Sequence, residues 1–284
     1  MIPKDVTKIV SLVSGVTGDL YEMGAQDKVV GATQALPYPT KYYYPESEIL
    51  AKDVGGIANI NVEEVVKLEP DVVFTTEFFL ANAKALEDRG IPVVAIRLDS
   101  LADLIWNIKF LGSIVDKTDE ANILAEKMQT NIKKVGDKTS TLDKTQMKKV
   151  YVESSGKSYG ASSYCTESIV KAGGINIYGD SPIKQPVPSY EFIIQQNPDN
   201  ILIFIVAKDR EEFLDKAKAA IKEIKERPGW SDIKAVKNNK FCVIENRYLN
   251  FGPTHDESIL AMGKFLHPEL FTDVSYSEFV YVTG

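Results

Sequence analysis

Short β-branched runs alternate along the chain with longer stretches in which apolar residues recur every three or four positions. The short runs predict buried strands at 8–13, 27–32, 72–76, 91–98, 149–153, 200–206 and 240–245. The helical spacing predicts helices at 19–24, 61–68, 80–89, 101–115, 166–172, 189–196, 211–225 and 254–266. Strands that alternate with helices are typical of parallel α/β sheets, so we expect such a sheet in each half of the chain.

The stretch 118–136 predicts one long amphipathic helix in the middle of the chain. Thr118 is a suitable N-cap, and Gly136 is expected to end the helix. About 17 helical residues would span roughly 25 Å. Its apolar residues fall on a single stripe: Ala121, Leu124, Ala125, Met128, Ile132 and Val135.

The sequence before this helix is repeated after it at an offset of 128 positions. NVEEVVKLEPDVVF at 61–74 aligns with SYEFIIQQNPDNIL at 189–202. The matched pairs include Asn61 with Ser189, Glu63 with Glu191, and Asp71 with Asp199. Each residue of a capped helix followed by a Pro-Asp turn has a local structural role, so such a unit can recur without a repeat of the whole fold. Here, however, the flanking strands repeat as well. The repeat predicts two similar lobes, 1–115 and 141–284, joined by a linker helix at 116–140, with a cleft between them.

Composition and charge restrict the class of protein. The 284 residues exceed one typical domain, and 44% hydrophobic with 26% charged residues is ordinary for a globular protein. A net charge of −7 argues against general nucleic-acid binding. No apolar run reaches the ~18 residues of a membrane span, and the first residues do not resemble a signal peptide. A cytoplasmic protein and an exported protein without its leader both remain open at this point.

Few residues are available for metal or redox chemistry. Cys165 and Cys242 form no C-x-x-C motif, so they are expected to be core residues or a single bridge. Two histidines are too few for most transition-metal sites and many hydrolytic triads. We expect His267 to be structural. His255 is a weak ligand candidate that we expect to be a surface residue.

Four motifs, in this order, resemble one known family over nearly the whole chain. They are SLVSGVTGDLYEMGAQDKVVGAT, GGIANINVEEVVKLEPDVVF, VKAGGINIYGD and FGPTHDESILAMGKFLHPELF. The chain resembles the class III solute-binding proteins of ABC importers for iron–siderophore complexes, haem and cobalamin. The resemblance implies an α/β fold of two similar lobes with mainly parallel sheets flanked by helices, joined by a single long helix that allows little hinge motion.

The same resemblance implies a function. We expect a monomeric, non-enzymatic receptor outside the cytoplasm, tethered to a membrane in its natural form, with no resident cofactor. It would capture an iron chelate or a related metal-containing ligand between its lobes and deliver it to a permease dimer with ATPase subunits. In this family a glutamate on each lobe docks onto arginines of the permease, and the matching positions are Glu63 and Glu191. Two equivalent carboxylates also suit a two-subunit partner on physical grounds.

The ligand-binding residues are expected where strands end, because the carboxyl edge of a parallel sheet is the usual binding edge. Arginine can hold an anionic chelate by paired hydrogen bonds, and tyrosine can stack on an aromatic or macrocyclic ligand. Surface ion pairs and core packing are the alternative roles of these side chains. The candidates in the first lobe are Ser14, Gly15, Thr17, Tyr42, Tyr44, Glu77 and Arg97, and those in the second are Tyr159, Tyr164, Arg247 and Tyr248.

Some alternative ligands remain open, whereas other functional classes are disfavoured. Cobalamin, haem or an oxyanion such as molybdate or tungstate would suit the same fold. A receptor for bare zinc or manganese is disfavoured, because only His255 is placed to serve as a ligand. A cytoplasmic α/β enzyme is also disfavoured, because neither G-x-G-x-x-G nor G-K-[ST] occurs and no nucleophile–base pair is apparent.

Overall fold

The computed structural model describes residues 5–33, 51–56, 59–77, 80–207, 209–248 and 252–284. The chain divides into two compact units. Unit 1 comprises Met1–Leu98, Ala102–Met128 and Asn250–Pro253. Unit 2 comprises Asp99–Leu101, Gln129–Leu249 and Thr254–Gly284.

Strands and helices alternate through the first half of the chain as the hydrophobic pattern predicts. In order, the elements are β1 (Ile9–Ser11), α1 (Ser14–Glu22), β2 (Val29–Ala32), β3 (Lys52–Asp53), β4 (Gly55–Gly56), β5 (Asn59–Ile60), α2 (Val62–Lys67), β6 (Val72–Thr76), α3 (Leu80–Glu87), β7 (Val93–Ile96) and α4 (Leu101–Val115).

A parallel sheet forms the centre of unit 1. Within the described residues its strand order is β3-β2-β1-β6-β7, and the short pair β4-β5 is antiparallel. The central strand β1 pairs on both sides, with Ile9 opposite Val29 in β2 and Val72 in β6. Both faces of β1 and β6 are buried, which is why these strands read as continuous apolar runs.

The long helix α5 (Thr118–Thr139) follows, and the division between the units falls within it. Ala121, Ala125, Met128 and Val135 are fully buried, so the predicted apolar stripe is confirmed. The predicted end at Gly136 is wrong, because the helix continues to Thr139. The Thr139 hydroxyl donates to the carbonyl of Lys171 (2.8 Å), and the carbonyl of Val135 lies 3.1 Å from the same oxygen, which stabilises the extra turn. The restricted hinge motion expected from this helix stays a prediction.

The second half repeats the alternation of the first. Its elements are β8 (Lys148–Ser154), α6 (Tyr164–Lys171), β9 (Gly174–Asn176), α7 (Tyr190–Gln196), β10 (Asn200–Ile205), α8 (Arg210–Glu226), α9 (Lys234–Lys237), β11 (Phe241–Glu245), α10 (His255–Leu266) and β12 (Val280–Thr283).

The sheet of unit 2 has the same central arrangement as that of unit 1. Its order among the described residues is β12-β11-β10-β8-β9, in which β8 and β10 take the places of β1 and β6. Val150 in β8 lies opposite Asn200 in β10, just as Ile9 lies opposite Val72. The one difference in direction is β12, which pairs antiparallel with β11. The predicted fold class, with mainly parallel sheets flanked by helices, is confirmed.

The Pro-Asp turn before β6 and its repeat before β10 form hydrogen bonds at the start of the neighbouring strands β1 and β8. Asp71 accepts hydrogen bonds from the backbone N–H groups of Thr7 and Lys8, both at 2.8 Å. Asp199 accepts one from the N–H of Lys149 at 2.9 Å. The aspartates of the sequence repeat therefore fix the beginning of the first strand of each unit.

Candidate functional site

The two repeated helices present their glutamates in the same way. The Asn61 side chain accepts from the N–H of Glu64 (3.1 Å), and the Ser189 hydroxyl accepts from the N–H of Phe192 (3.3 Å). Each side chain caps a helix whose second residue is the predicted docking glutamate. Glu63 is 72% exposed, and Glu191 is exposed as well. Both carboxylates are therefore open to a partner.

The immediate surroundings of the two glutamates differ. Arg89 places Nη2 3.3 Å from Oε1 of Glu63 and donates through Nη1 to the carbonyl of Ala85 at 2.7 Å. Glu191 instead accepts from the Ser189 hydroxyl at 2.9 Å. Hydrogen bonds from its own backbone N–H and from Ser189 lower the pKa of Glu191. Of the two glutamates, only Glu63 has an arginine of the same unit beside it among the described residues.

The helix predicted at 19–24 already includes residues 14–18, so its predicted start is wrong. Helix α1 begins at Ser14, because Val13 is the extended N-cap residue and the N–H of Thr17 already bonds to the carbonyl of Val13 at 3.1 Å. Gly15 and Thr17 are buried. The Thr17 hydroxyl donates to the same carbonyl at 3.4 Å, so its side chain turns back onto its own helix. Only Ser14 of the three candidates here is partly exposed.

Glu77 and Arg97 lie side by side at the carboxyl edge of the sheet of unit 1. They directly follow Thr76 and Ile96, which are opposite each other in the β6–β7 register. Both side chains are exposed. The structure thus brings together two candidates that the sequence separates by 20 positions, and places one acidic and one basic group at this edge.

An aromatic cluster lies beyond the carboxyl ends of β8 and β10 in unit 2. The ring of Tyr159 is 6.5 Å from that of Tyr164 and 6.4 Å from that of Phe204. His255 packs edge-on against Tyr164 at 5.2 Å, and its Nε2 lies 3.0 Å from the hydroxyl oxygen of Ser168. Tyr159 is 8% exposed, and burial raises the pKa of both tyrosines. Two predicted binding residues are thus neighbours, although most of Tyr159 belongs to the core.

His255 is fully buried, so the expectation of a surface histidine is wrong. It begins α10, and the packing of that helix against α6 encloses its ring. His267 is buried and places Nε2 3.0 Å from the carbonyl of Gly173. The structural role predicted for His267 is confirmed.

The loop at 155–163, which carries Tyr159, is held by backbone hydrogen bonds to residues 181–186. The N–H groups of Ser158 and Gly160 donate to the carbonyls of Pro186 (2.9 Å) and Lys184 (3.0 Å). A Cβ on Gly160 would lie 2.0 Å from the carbonyl oxygen of Ile183, so only glycine allows this approach. The loop is thereby fixed in one conformation around Tyr159.

The remaining candidates are less accessible or not described. Tyr248 is 7% exposed, with its ring 6.5 Å from that of Phe279. Arg247 lies in the short turn Asn246–Tyr248 that follows β11, as expected. Tyr42 and Tyr44 lie outside the described residues.

Both cysteines are free thiols in the core of unit 2. Burial raises the pKa of Cys165 and of Cys242, so both stay protonated at neutral pH. Within the described ranges, no three His, Cys, Asp or Glu side chains are grouped to hold a metal ion. None of the described helices combines the length and apolar character needed to cross a membrane.

A pocket of about 590 Å³ lies at the opposite, amino-terminal edge of the sheet in unit 2. Its lining includes Lys148, Asn200 and Lys240, which stand at the beginnings of β8, β10 and β11. It is therefore separate from the predicted ligand residues of unit 2, which follow the other ends of these strands.

Sequence reasoning missed two residues beside the predicted sites. Phe204 reads as an ordinary strand residue, yet it completes the aromatic cluster. Arg89 reads as the exposed end of a helix, yet it contacts Glu63 across 26 positions. A signal for Arg89 existed, because an arginine and a nearby glycine follow the corresponding helix in each half, at Arg89-Gly90 and Arg227-Pro228-Gly229.

Comparisons with known proteins agree with this architecture. The chain matches the periplasmic binding protein family over residues 9–248. It is 28% identical to the uncharacterized ABC transporter substrate-binding lipoprotein YvrC of Bacillus subtilis, covering 96% of this chain and 83% of that protein. It is 30% identical to the iron(3+)-hydroxamate-binding protein FhuD of the same organism, covering 69% of this chain and 58% of the relative.

A solved structure extends the comparison of the fold. The molybdate periplasmic binding protein MolA of Haemophilus influenzae, bound to molybdate, superimposes with a TM-score of 0.78 and 20% identity. The match covers 97% of this chain and 90% of MolA. At that identity the likeness concerns the fold alone.

Proposed function

The chain belongs to the periplasmic binding protein family, and we propose that it binds an iron chelate outside the cytoplasm and delivers it to the permease of an ABC importer. The resemblance to class III solute-binding proteins seen in the sequence motifs is confirmed, and with it the general function of a solute-binding protein. The ligand, the docking residues and the location belong to the proposal.

The observation that carries the proposal is the matched pair of exposed glutamates. Glu63 and Glu191 are each the second residue of a capped helix, at equivalent places in the two units. A single exposed glutamate near a helix N-terminus has a sufficient explanation in the helix dipole. Two in equivalent positions suit electrostatic docking onto a partner with two similar subunits. A catalytic function gives no reason for such a repeat, and we propose that the protein is not an enzyme.

The chemistry of the carboxyl edges supports an anionic or aromatic metal chelate as the ligand. Arg97 is an exposed residue, and a guanidinium suits carboxylate, catecholate or hydroxamate oxygens. Tyr164 is a partly exposed residue of the type that stacks on aromatic or macrocyclic ligands. The similarity to a protein named for iron(3+)-hydroxamate binding favours the same class of ligand here. A membrane-tethered location is supported by the similarity to a substrate-binding lipoprotein.

A thermal-shift screen tests the ligand. Ferric hydroxamates, ferric catecholates, ferric citrate, haem, cobalamin, molybdate and Zn²⁺ are each added to the protein. A ligand at 100 times its Kd stabilises the native state by about 2.7 kcal/mol, which is readily measured as a rise in Tm. A rise with a ferric chelate is the expected result. A rise with Zn²⁺ alone would contradict the proposal.

An uptake assay tests the delivery. Glu63→Ala/Glu191→Ala should leave ligand affinity unchanged and lower uptake into vesicles that contain the importer. Glu87→Ala/Glu226→Ala, at the carboxyl ends of α3 and α8, is the matched control for the loss of two exposed carboxylates. Normal uptake by the first double variant would show that docking does not use this pair.

A further inference from the structure

The two docking glutamates differ in their partners, although the helices that carry them are equivalent. This difference originates in one pair of arginines. Arg89 and Arg227 each stand just after the helix that follows the repeated strand, α3 in unit 1 and α8 in unit 2. Each is followed within two residues by a glycine with φ of +79°. The two arginines therefore occupy corresponding places in the two units.

In unit 2 the arginine is held in the interior by a carboxylate. Arg227 forms a bidentate pair with Glu153 at 2.6 and 2.7 Å and packs against Trp230, with 4.8 Å from its guanidinium carbon to the ring centroid. Its side chain is 9% exposed. Its guanidinium also lies 5.3 Å from the ring centroid of Tyr190, the residue before Glu191. It is engaged with Glu153, and Glu191 has no ion-pair partner among the described residues.

In unit 1 the corresponding interior position is apolar. The strand registers place Val150 at the position of Ile9, and Glu153 therefore corresponds to Leu12. Leu12 is 1% exposed and has no charge to offer to a guanidinium. Arg89 lies instead on the surface, where its side chain is 44% exposed, and it pairs with Glu63. Its second bond, to the carbonyl of Ala85, orients the guanidinium towards that glutamate.

We propose that Arg89 attenuates Glu63 as a docking point, so that Glu191 is the stronger electrostatic contact with the permease. This rests on the proposed docking function. A permease arginine that approaches Glu63 must displace Arg89 or share the carboxylate with it. One that approaches Glu191 meets a carboxylate that has no ion-pair partner in the described part of the chain. An exposed ion pair stabilises by up to about 1 kcal/mol, so Arg89 should weaken docking by about two- to fivefold.

The test is a binding measurement between the full chain and its permease–ATPase complex in nanodiscs at low salt. Glu191→Gln should raise the Kd more than Glu63→Gln does. Arg89→Gln should lower the Kd about two- to fivefold, and it should have no effect in the Glu63→Gln background. The gain in affinity from Arg89→Gln should disappear at 1 M salt, where the Debye length is about 3 Å.

A matched control separates this effect from a change in net charge. Lys67 lies on the same helix as Glu63 but pairs with Glu64, at 3.6 Å. Lys67→Gln removes the same single positive charge and should change the Kd much less than Arg89→Gln does. An equal effect of the two variants on the Kd would contradict the proposal, because the loss of any nearby positive charge would then be sufficient to change the affinity.

The outcomes distinguish this proposal from the docking function beneath it. If Glu63→Gln and Glu191→Gln weaken binding equally and Arg89→Gln has no effect, docking stands and the attenuation is wrong. If Arg89→Gln weakens binding in both backgrounds, Arg89 itself contacts the permease, and the attenuation is again wrong. If neither glutamate variant changes the Kd, the proposed docking function and the proposed attenuation are both wrong.

Discussion

Asp71 accepts a hydrogen bond from the backbone N–H of Lys8 at 2.8 Å, 63 positions earlier in the chain. A second N–H, that of Thr7, binds the same carboxylate oxygen at 2.8 Å, and these backbone bonds lower the pKa of Asp71. The corresponding Asp199 accepts one backbone N–H, that of Lys149. The same turn therefore anchors the first strand of each unit, with more bonds in unit 1.

Asp71→Ala should destabilise the protein by only about 1 kcal/mol, because solvent weakens charge-assisted hydrogen bonds at a partly exposed site. Asp199→Ala should destabilise it by less, because Asp199 accepts one backbone N–H rather than two. The pKa of Asp71 is lower in the folded than in the unfolded state, so its contribution is present above the unfolded pKa of about 3.9 and disappears as pH falls through the folded value. Urea denaturation at pH 7 and pH 3 measures both effects. An equal loss at the two pH values would contradict this account.

Gly136→Ala should stabilise the protein by about 0.5–1 kcal/mol, because Gly136 lies inside α5 and alanine is the better helix former. A Cβ there would meet only the Lys171 side chain, at 3.8 Å. Gly173→Ala is the matched control and should destabilise, because Gly173 has a φ of +81° and a Cβ would lie 2.7 Å from Nε2 of His267. Thermal unfolding measures the Tm of both variants. A lower Tm for Gly136→Ala would contradict this prediction and would support Gly136 as a residue that favours the end of the helix.

Asp19→Asn should stabilise the protein at neutral pH. Asp19 is 1% exposed, its Oδ1 has no hydrogen-bond partner among the described residues, and burial raises its pKa well above the usual value. Because the folded pKa exceeds the unfolded one, the native state loses stability as pH rises from about 4 through the folded pKa. The gain in Tm should therefore be larger at pH 8 than at pH 4. Asp27→Asn, at an exposed position, should show no such difference.

Arg227→Ala should destabilise the protein by about 3 kcal/mol, because it leaves the Glu153 carboxylate without its bidentate partner in a largely buried place. Arg227→Lys should recover only part of this loss, since lysine cannot form both bonds or stack on Trp230 in the same way. Arg210→Ala, at a half-exposed arginine, is the control. Chemical denaturation measures the three variants, and a loss below that of Arg210→Ala would contradict the assignment.

Thr17→Val should leave ligand affinity within about twofold, because the Thr17 side chain is buried and donates to its own helix. Ser14→Ala, at the partly exposed first residue of α1, should weaken binding if this edge holds the ligand. Calorimetry with the ligand found by the thermal-shift screen compares the two. A tenfold loss for Thr17→Val at unchanged Tm would show that its hydroxyl reaches the ligand.

The sequence by itself determined the order and type of the main elements. Helix α4 and strand β6 were predicted to the residue, because a 3.6-residue period and a β-branched run between a Pro-Asp turn and a helix are local signals. The apolar stripe of α5 and the matched caps of α2 and α7 were equally local. The start of α1 and the end of α5 were wrong, because a glycine allows a helix to be interrupted but does not force it. The bond from the N–H of Thr17 to Val13 and the hydroxyl bond of Thr139 extend the two helices past their glycines.

Only the tertiary structure decided which residues meet. Asp71 reaches Lys8, Glu77 comes beside Arg97, and Tyr159 packs on Phe204 because parallel strands align residues that are far apart in the chain. The burial of His255 likewise follows from helix packing that no local pattern records. The pairing of Arg89 with Glu63 is the clearest example. It faces Glu63 because the position that holds a carboxylate in unit 2 holds Leu12 in unit 1, and that correspondence exists only once the two sheets are formed.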